Sequence, residues 1–302
     1  MTLDQLRIFV AVAERQHVTQ AARALNLAQS AASNAIAALE SEHDTQLFDR
    51  VGRRIELTEA GRVFLAEARA VLARAEAAEL ALSEFSGLKR GTLSVQASQT
   101  IANYWLPRHL VAFRRAYPRI QIRLAIGNTE QVAAAVESGT AELGFVEGEV
   151  QSEHFASTPV ARDQLVVVVA PEHPWGGRDR LTRRDLKEGD WVLREPGSGT
   201  RSVFESALSQ LGIAPRTLRI QLELPSNEAV RAAVEAGLGA TAISATVAAP
   251  SIEAGLLLRV KFPLPEREFH VLHHRERYKS RAAEALLAMV AAASPASRIH
   301  PQ

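Results

Sequence analysis

Cysteine is absent from the 302 residues of this chain. Its absence excludes disulfide bonds and thiolate metal sites, and it is compatible with a reducing cytosol. Long apolar runs are also absent, so the sequence predicts no membrane-spanning helix. The first residues, MTLDQLRIFVAVAERQ, carry charges at Asp4, Arg7 and Glu14 and lack the basic flank and apolar core of a signal peptide. We therefore expect a cytoplasmic protein without a membrane partner.

An excess of charge of one sign is lacking as well. Lysine and arginine number 35 against 34 aspartates and glutamates, a formal net charge of +1. This balance neither favours nor excludes nucleic acid as a partner, so charge has to be considered segment by segment. The apolar fraction of 47% is typical of a globular protein, and the length predicts two or three domains.

Residues 1–58 contain short helical patterns that predict a helix-turn-helix. Asn26 lies between the second and third patterns and tolerates the left-handed conformation that such a turn needs. The third helix would bury Ala32, Ile36 and Leu39. Its outward side carries short neutral hydrogen-bonding groups, which suit the base edges of a DNA major groove. These candidate DNA-binding residues are Gln29, Ser30, Ser33 and Asn34.

Two strand-like arms around Gly52 predict a small hairpin, or wing, after these helices. Residues 1–62 carry seven arginines against eight carboxylates, so phosphate binding would need a local cluster of cations. The candidates for that cluster are Arg50, Arg53 and Arg54. The alternative, that these arginines only cover a solvated turn, stays open.

Residues 59–90 predict one long helix with apolar residues at alternating spacings of four and three. The residues of this seam are Phe64, Ala68, Val71, Ala75, Ala78, Leu82 and Phe85. A helix of this length cannot bury such a seam alone. We predict that it dimerises the protein, with packing on its own domain as the alternative.

Residues 91–296 alternate strand and helix patterns, which predicts an α/β domain with largely parallel sheets. Turn-rich breaks near residues 161 and 265 divide it into two lobes around a cleft, with lobe I at 91–161 and 266–296 and lobe II at 162–265. The expected strands are 92–97, 120–126, 143–146, 164–170, 191–194, 220–224, 240–244 and 269–273, and the expected helices are 100–116, 129–138, 200–211, 226–236 and 279–293.

Polar residues recur where these strands end and the next helices begin. Ligands of open α/β sheets bind at the carboxyl ends of strands, and helix N-termini favour anions. The recurrence predicts a cleft for a small carboxylate or oxyanion, although each hydroxyl alone could be a helix cap. The candidate effector-binding residues are Ser98, Thr100, Asn128, Thr129, Glu147, Gly199, Thr200 and Ser226.

Signals for other chemistry are weak. The segment GSGTR lacks the Lys-Ser/Thr of a phosphate-binding loop and the third glycine of a dinucleotide fingerprint. His270 and His273 would face opposite sides of a strand, which does not suit a metal site. No nucleophile elbow or activated pair is evident. We expect no cofactor, no metal and no catalytic residues.

The segment LRIFVAVAERQHVTQAARALNLAQSAASNAIAALESEHDTQLFDR, followed by RRIELTEAG, resembles the N-terminal domain of LysR-type transcriptional regulators. The long helix and the two-lobed region fit the same family. The segments GNTEQVAAAVESGTAELGFVEG, WVLREPGSGTR and SNEAVRAAVEAGLG resemble the branch that regulates carbon fixation and sulfur-oxyanion (sulfite or sulfate) metabolism. In one respect the chain departs from the family. Ala28 and Ser30 stand where Ser or Thr and then Pro are common, and the missing helix cap costs about 1 kcal/mol.

The resemblance implies a winged helix-turn-helix at 1–58, a linker dimerisation helix at 59–90 and an effector domain at 91–296 similar to periplasmic solute-binding proteins. It also implies promoter DNA and a small anionic effector as partners, a homodimer or homotetramer, and RNA polymerase as a further candidate partner. Two alternatives stay open. One is a cytosolic solute-binding module with a helical dimerisation appendage, and the other is an α/β enzyme with an accessory domain.

Overall fold

The computed structural model describes residues 1–51, 54–85, 91–148, 150, 152–178 and 180–293. Contacts divide the chain into two compact units, Met1–Leu88 with Ser138–Thr140 and Lys89–Glu137 with Ala141–Gln302. We call them the N-terminal unit and the C-terminal unit. Among the described residues, no helix is both long and apolar enough to span a membrane.

The N-terminal unit is helical apart from one antiparallel hairpin. Its elements are α1 Leu3–Arg15, α2 Val18–Ala24, α3 Gln29–Glu42, β1 Phe48–Val51, β2 Arg54–Leu57 and α4 Glu59–Phe85. Helix α1 begins with a capping box, in which Thr2 and Gln5 each accept the other's backbone N–H. The centre of the core is Phe9, whose ring lies 5.3 Å from that of Phe48 and 4.9 Å from that of Phe64. This aromatic cluster joins α1, the hairpin and the start of α4.

Helix α4 runs for 27 residues where the sequence predicted one long helix at 59–90, and residues 86–90 of that prediction lie outside the described part. The structure corrects the assignment of its first seam residues. Ala68 is only 1% exposed and Phe64 packs on Phe9, so both belong to the core of their own unit. Farther along, Val71 is 41% and Leu82 is 74% exposed. Ala75 is half-buried and Ala78 is exposed, whereas the side chain of Phe85 lies outside the described part.

The C-terminal unit contains β3 to β11. Their bounds are β3 Gly91–Ser98, β4 Ile120–Gly127, β5 Leu143–Glu147, β6 Phe155–Val169, β7 Asp190–Arg194, β8 Arg219–Leu224, β9 Ala240–Ser244, β10 Leu258–Val260 and β11 Glu266–His274. The hydrogen-bonded order is β4-β3-β5-β11-β6-β9-β7-β8, with β10 on β6. The pairs made by β3 and β7 are parallel, and those made by β6 and β11 are antiparallel. The sheet is therefore mixed rather than largely parallel.

Helices follow most of these strands. They are a π-helix at Ile101–Trp105, α5 Leu106–Ala116, α6 Thr129–Ser138, α7 Arg183–Glu188, α8 Gly199–Gln210, a 3₁₀ turn at Pro215–Thr217, α9 Asn227–Glu235, α10 Ala245–Glu253 and α11 Arg281–Ala293. Helices α7 and α10 were not predicted from the sequence. Helix α7 has only six residues, which is too short for a clear helical pattern. Helix α10 contains Pro250, a residue that usually ends or breaks a helix.

Each lobe of this unit has a large apolar core. Lobe I is built around Phe113 and Phe145, and lobe II around Trp191 and Phe204. The first passage between them is not the turn expected near residue 161, because β6 is one continuous strand there. Its pairing changes from β11 at Gln164 to β9 at Leu165. The Nε2 atom of Gln164 donates to the carbonyl of Leu264 at 2.8 Å, which joins this passage to the returning segment.

Candidate functional site

The outward face of α3 is exposed as the sequence predicted. Its buried residues are Ala32, Ile36 and Leu39. Asn26, in the preceding turn, has φ of +56°. Ala28 occupies the N-cap position and makes no side-chain capping bond. The exposed polar residues on the N-terminal half of the helix are Gln29, Ser30, Ser33 and Asn34.

The wing is present as a hairpin in which Val51 pairs with Arg54. The bonds of Glu40 hold the approach to this hairpin, since its Oε1 accepts the backbone N–H groups of Leu47 and Phe48 at 2.7 and 3.2 Å. The arginines proposed to bind phosphate are not placed. Arg53 lies outside the described residues, and so do the side chains of Arg50 and Arg54.

In the C-terminal unit, the N-terminus of α8 in lobe II packs directly on lobe I. A Cβ atom added to Gly199 would lie 2.6 Å from Thr129 Oγ1 and 2.8 Å from the carbonyl oxygen of Glu147. The hydroxyl of Thr129 in turn donates to Glu147 Oε2 at 3.3 Å. Glycine is therefore required at position 199 if the lobes are to meet this closely. Three predicted site residues, from α6, β5 and α8, come together here.

Thr200, the next residue of α8, contacts a buried arginine that the sequence analysis missed. Arg267 Nη1 donates to Thr200 Oγ1 at 3.0 Å. Arg267 Nε donates to Asp163 Oδ2 at 2.8 Å, while Nη2 lies 2.6 Å from the same oxygen and 4.0 Å from Glu147 Oε1. The second oxygen of Asp163 accepts the hydroxyl of Ser244 at 2.7 Å. Arg267 thus links α8 to the charged residues of both lobes.

A third set of interlobe bonds surrounds Thr100. Asn227, the first residue of α9, donates from Nδ2 to Thr100 Oγ1 at 3.0 Å and from its backbone N–H to Gln99 Oε1 at 2.6 Å. Its Oδ1 accepts from Arg194 Nη1 at 2.6 Å. Arg194 also forms a bidentate pair with Glu195 at 2.8 and 3.0 Å. Thr100 is therefore placed at the lobe contact, with Asn227 as its direct partner.

Beside this contact, Tyr104 and Asn103 of the π-helix donate to Glu228 Oε1 at 3.1 and 3.2 Å. Burial, and then the charge of Glu228, raises the pKa of Tyr104, so the phenol remains a donor. For Glu228, burial alone would raise the pKa. Bonds from its own backbone N–H, Ser226, Asn103 and Tyr104 outweigh that effect and lower it. The carboxylate form of Glu228 thus holds the two lobes together.

Two predicted effector residues act as helix caps. Ser226 Oγ accepts the backbone N–H of Ala229 at the start of α9 and donates to Glu228 Oε2 at 3.1 Å. Asn128 Oδ1 accepts the backbone N–H of Gln131 at 2.9 Å. Its Nδ2 faces Glu195 Oε1 across the lobe contact at 3.4 Å. Ser226 is committed to capping, whereas Asn128 both caps α6 and faces lobe II.

Ser98 differs from these residues because its hydroxyl is unused. It ends β3 and is 1% exposed, and its Oγ has no hydrogen-bond partner among the described residues. Arg267 Nη2 also has no hydrogen bond among the described residues, although it lies 2.6 Å from Asp163 Oδ2 in an ion pair. A buried hydroxyl without a partner is costly, and Thr241 Oγ1 is in the same state among the described residues.

The histidines of β11 have ordinary structural partners. His270 Nδ1 lies 3.0 Å from Ser157 Oγ, and His273 Nδ1 lies 3.3 Å from the carbonyl oxygen of His274. Within the described ranges, no group of three or more His, Asp or Glu side chains is arranged to hold a metal ion.

Arg267, which was not predicted to lie in the site, could have been found from the sequence. Arg267 and Phe269 stand two apart on β11, so they share a face, and that face is buried. A charge at a buried strand position is a candidate for function. Asn227, beside Ser226 in the segment LPSNEA, has the same signal of a polar residue at a helix start, but its partners depend on how α9 meets lobe I.

Two family models match the chain. The model described as a bacterial regulatory helix-turn-helix protein of the lysR family matches residues 3–62, and the LysR substrate binding domain matches residues 86–295. Together they cover both units.

Curated relatives match over nearly the whole length. The chain is 37% identical over 289 residues to the uncharacterized HTH-type transcriptional regulator YeiE of Escherichia coli K12, covering 95% of this chain and 96% of that protein. It is 33% identical to a probable RuBisCO transcriptional regulator of Cyanophora paradoxa, covering 97% and 94%.

Solved structures show the same fold. The LysR family transcriptional regulator CbnR aligns with a TM-score of 0.70 at 23% identity, over 96% of this chain and 98% of that one. The regulatory domain of Synechocystis PCC6803 CcmR, solved in complex with 2-PG, aligns with a TM-score of 0.62 at 24% identity, over 68% and 98%.

Proposed function

The chain belongs to the LysR family of bacterial transcriptional regulators, and from this premise we propose that a small anion bound between its lobes controls how α3 contacts promoter DNA. The domain boundaries 1–58, 59–90 and 91–296 are part of the proposal. The proposal also includes self-association. The protein would form a dimer through the exposed part of the α4 seam and a tetramer through the effector domains.

The DNA half of the proposal rests on the exposed face of α3. Gln29, Ser30, Ser33 and Asn34 are neutral donors and acceptors on a helix whose other side is buried. Such side chains can form hydrogen bonds to base edges without a charge to desolvate. Phosphate contacts would come from Arg50, Arg53 and Arg54 on the wing, which fix the position of the domain but carry little sequence information.

The sensing half rests on one observation, the meeting of Gly199 with Thr129 and Glu147 between the lobes. A ligand held there contacts both lobes at once, so its binding depends on how they are arranged. A ligand that prefers one arrangement shifts the population toward it. The same coupling free energy then appears in the affinity for DNA. Such an effector would contact Ser98, Thr100, Thr129, Glu147 and Thr200, with the N-terminus of α8 favouring an anion.

The DNA proposal is tested by a mobility-shift titration with the DNA upstream of the protein's own gene. Ser33→Ala or Asn34→Ala is expected to cost about 1–3 kcal/mol on the specific site and little on random DNA. Ser41→Ala is the matched control, because it makes the same change at an exposed position near the other end of α3. Equal losses for Ser33→Ala and Ser41→Ala, or for specific and random DNA, would contradict the proposal.

The sensing proposal is tested by a thermal-shift screen of small anions on the full-length protein. Thr129→Ala is expected to remove the shift caused by an active anion while DNA binding persists. Thr246→Ala makes the same change on the exposed surface of α10 and should keep the shift. A normal response in Thr129→Ala would mean that the ligand binds elsewhere.

A further inference from the structure

Glu147 is a buried carboxylate at the lobe contact where the proposed anion would bind. It ends β5 and is 5% exposed. One oxygen accepts the hydroxyl of Thr129 at 3.3 Å, and the other lies 4.0 Å from Arg267 Nη2. Both contacts are long, so the charge of Glu147 is only weakly compensated by them.

Arg267 cannot fully neutralise Glu147 because it is already paired. Its Nε donates to Asp163 at 2.8 Å, its Nη2 lies 2.6 Å from the same carboxylate, and its Nη1 donates to Thr200. This cluster therefore sets one arginine against two buried carboxylates. An anion with no hydrogen to donate would meet like charge at Glu147, which is unfavourable in a poorly solvated site.

Other groups around the cluster nevertheless favour an anion. Ser98 Oγ, a proposed effector contact, is a buried donor that lacks a hydrogen-bond partner among the described residues. Helix α8 points its N-terminus at Thr129 and Glu147 through Gly199, and no side chain caps it. The site thus combines the free N-terminus of α8 with two buried carboxylates, and Glu147 is the carboxylate whose two contacts are both long.

Building on the proposed function, we infer that Glu147 makes the cleft select anions that also carry an O–H group, which the ligand donates to Glu147. The ligand class is a small anion with either an alcohol hydroxyl, as in a hydroxycarboxylate, or a retained acid proton, as in a hydrogen oxyanion. An oxyanion without a proton donates nothing to Glu147 and faces like charge there. A site built for a hydrogen bond rejects such an analogue strongly.

The experiment compares matched anions by titration calorimetry on the full-length protein near neutral pH. Inorganic phosphate keeps a proton and sulfate has none, while glycolate has a hydroxyl and acetate has none. We expect phosphate to bind at least about tenfold more tightly than sulfate, or glycolate than acetate. A preference for phosphate alone identifies the acid proton as the donor, and a preference for glycolate alone identifies the hydroxyl.

The variant Glu147→Gln supplies an amide that can donate to a proton-free oxyanion. We expect it to bind sulfate at least about tenfold more tightly than the unaltered protein does, and to lose the preference between the matched anions. An unchanged urea-unfolding transition, followed by the fluorescence of the three tryptophans, shows that the C-terminal unit of the variant is folded. Glu172→Gln removes the same charge from an exposed loop position and should keep the preference.

Two results would overturn the inference. Equal affinity of the unaltered protein for both members of each pair refutes the role of the O–H group while leaving the proposed anion sensor intact. Binding of none of the four anions refutes the inference and the proposed sensing of a small anion together. Comparing phosphate with sulfate and glycolate with acetate in the unaltered protein tests the role of the O–H group even if Glu147→Gln does not fold.

Discussion

Asn227 in lobe II donates a hydrogen bond from Nδ2 to Thr100 Oγ1 in lobe I at 3.0 Å. Both residues are 1% exposed. The other side-chain atom of Asn227, Oδ1, accepts from Arg194 Nη1 at 2.6 Å. One amide therefore fixes a predicted effector residue to a buried arginine, and it does so at the N-terminus of α9. A change at Asn227 should alter the lobe contact and the response to ligand together.

Replacing Asn227 with Ala is expected to destabilise the C-terminal unit by about 1–3 kcal/mol, because a buried arginine loses its acceptor. The three tryptophans all lie in this unit, so urea unfolding followed by tryptophan fluorescence reports on it alone. Gln210→Ala removes an exposed amide at the end of α8 and should change stability by less than about 0.5 kcal/mol. Equal effects of the two changes would argue against the interlobe role of Asn227.

Replacing Gly199 with Ala is expected to abolish the response to an anionic effector. The new Cβ would overlap Thr129 Oγ1 and the Glu147 carbonyl, so the lobes would have to separate locally. DNA binding by α3 should persist, since the change is confined to the C-terminal unit. The matched control is Gly177→Ala, where no atom lies within 4 Å of the added Cβ. An anion-induced thermal shift in Gly199→Ala like that of the control would contradict the expectation.

Local patterns predicted much of this fold because they depend on nearby residues. Alternation and heptad spacing located the predicted strands and α4, and the left-handed Asn26 and uncapped Ala28 follow from local chemistry. The predictions failed at positions whose burial or strand pairing depends on residues far away in the sequence. Ala68 lies on the seam, yet Phe9 and its neighbours bury that part of α4. The mixed sheet depends on how β6 and β11 pair across about a hundred residues, which periodicity does not encode.

The candidate effector site was predicted only in part, because some of its contacts depend on residues that are distant in the sequence. Strand ends and helix starts indicated Thr129, Glu147 and Gly199, and the structure brings these three together. Arg267 was not predicted, because its importance comes from partners in the other lobe. Ser226 illustrates the alternative that the sequence left open, since its hydroxyl caps α9, and its contact with an effector stays a prediction.

The exposed part of the α4 seam is expected to hold the dimer. Val71→Glu combined with Leu82→Glu should weaken self-association at least about tenfold, because both side chains are exposed within one chain and a charge there opposes an apolar contact. The mass in solution, measured by light scattering, checks this expectation. Ala66→Glu adds the same charge at an exposed position off the seam and should leave the mass unchanged. Unchanged mass in the double variant would refute dimerisation through this seam.

The buried part of the seam should behave differently. Ala68→Glu places a charge in the core of the N-terminal unit, where we expect a loss of about 3 kcal/mol or more in stability. Circular-dichroism melting of the full-length protein measures it. A folded but monomeric Ala68→Glu variant would restore Ala68 to the dimer seam and contradict its assignment to the core.

A cap can be restored at the start of α3. Ala28 has extended backbone angles, φ −68° and ψ 144°, which are those of an N-cap residue, and it is exposed. Ala28→Ser is therefore expected to stabilise the N-terminal unit by about 0.5–1 kcal/mol, because its hydroxyl can accept a free backbone N–H. Thr2→Ala removes the existing cap of α1 and should lower stability by a similar amount. Circular-dichroism melting compares the two, and a loss of stability in Ala28→Ser would contradict the expectation.

The lobe contact at Glu228 should weaken in acid. The pKa of Glu228 is lowered in the folded protein, since hydrogen bonds from its own backbone N–H, Ser226, Asn103 and Tyr104 outweigh its burial. A group with a lowered folded pKa stabilises the protein above its unfolded pKa, about 4.3 for Glu, and loses that contribution as pH falls through the folded value. The stability gap between the unaltered protein and Glu228→Gln should therefore be constant near neutral pH and shrink below about pH 4. Tryptophan-detected urea unfolding over this pH range measures the gap, with exposed Glu172→Gln as the control that shows no such change. A gap that stays constant into acid would mean that Glu228 holds the lobes without its charge.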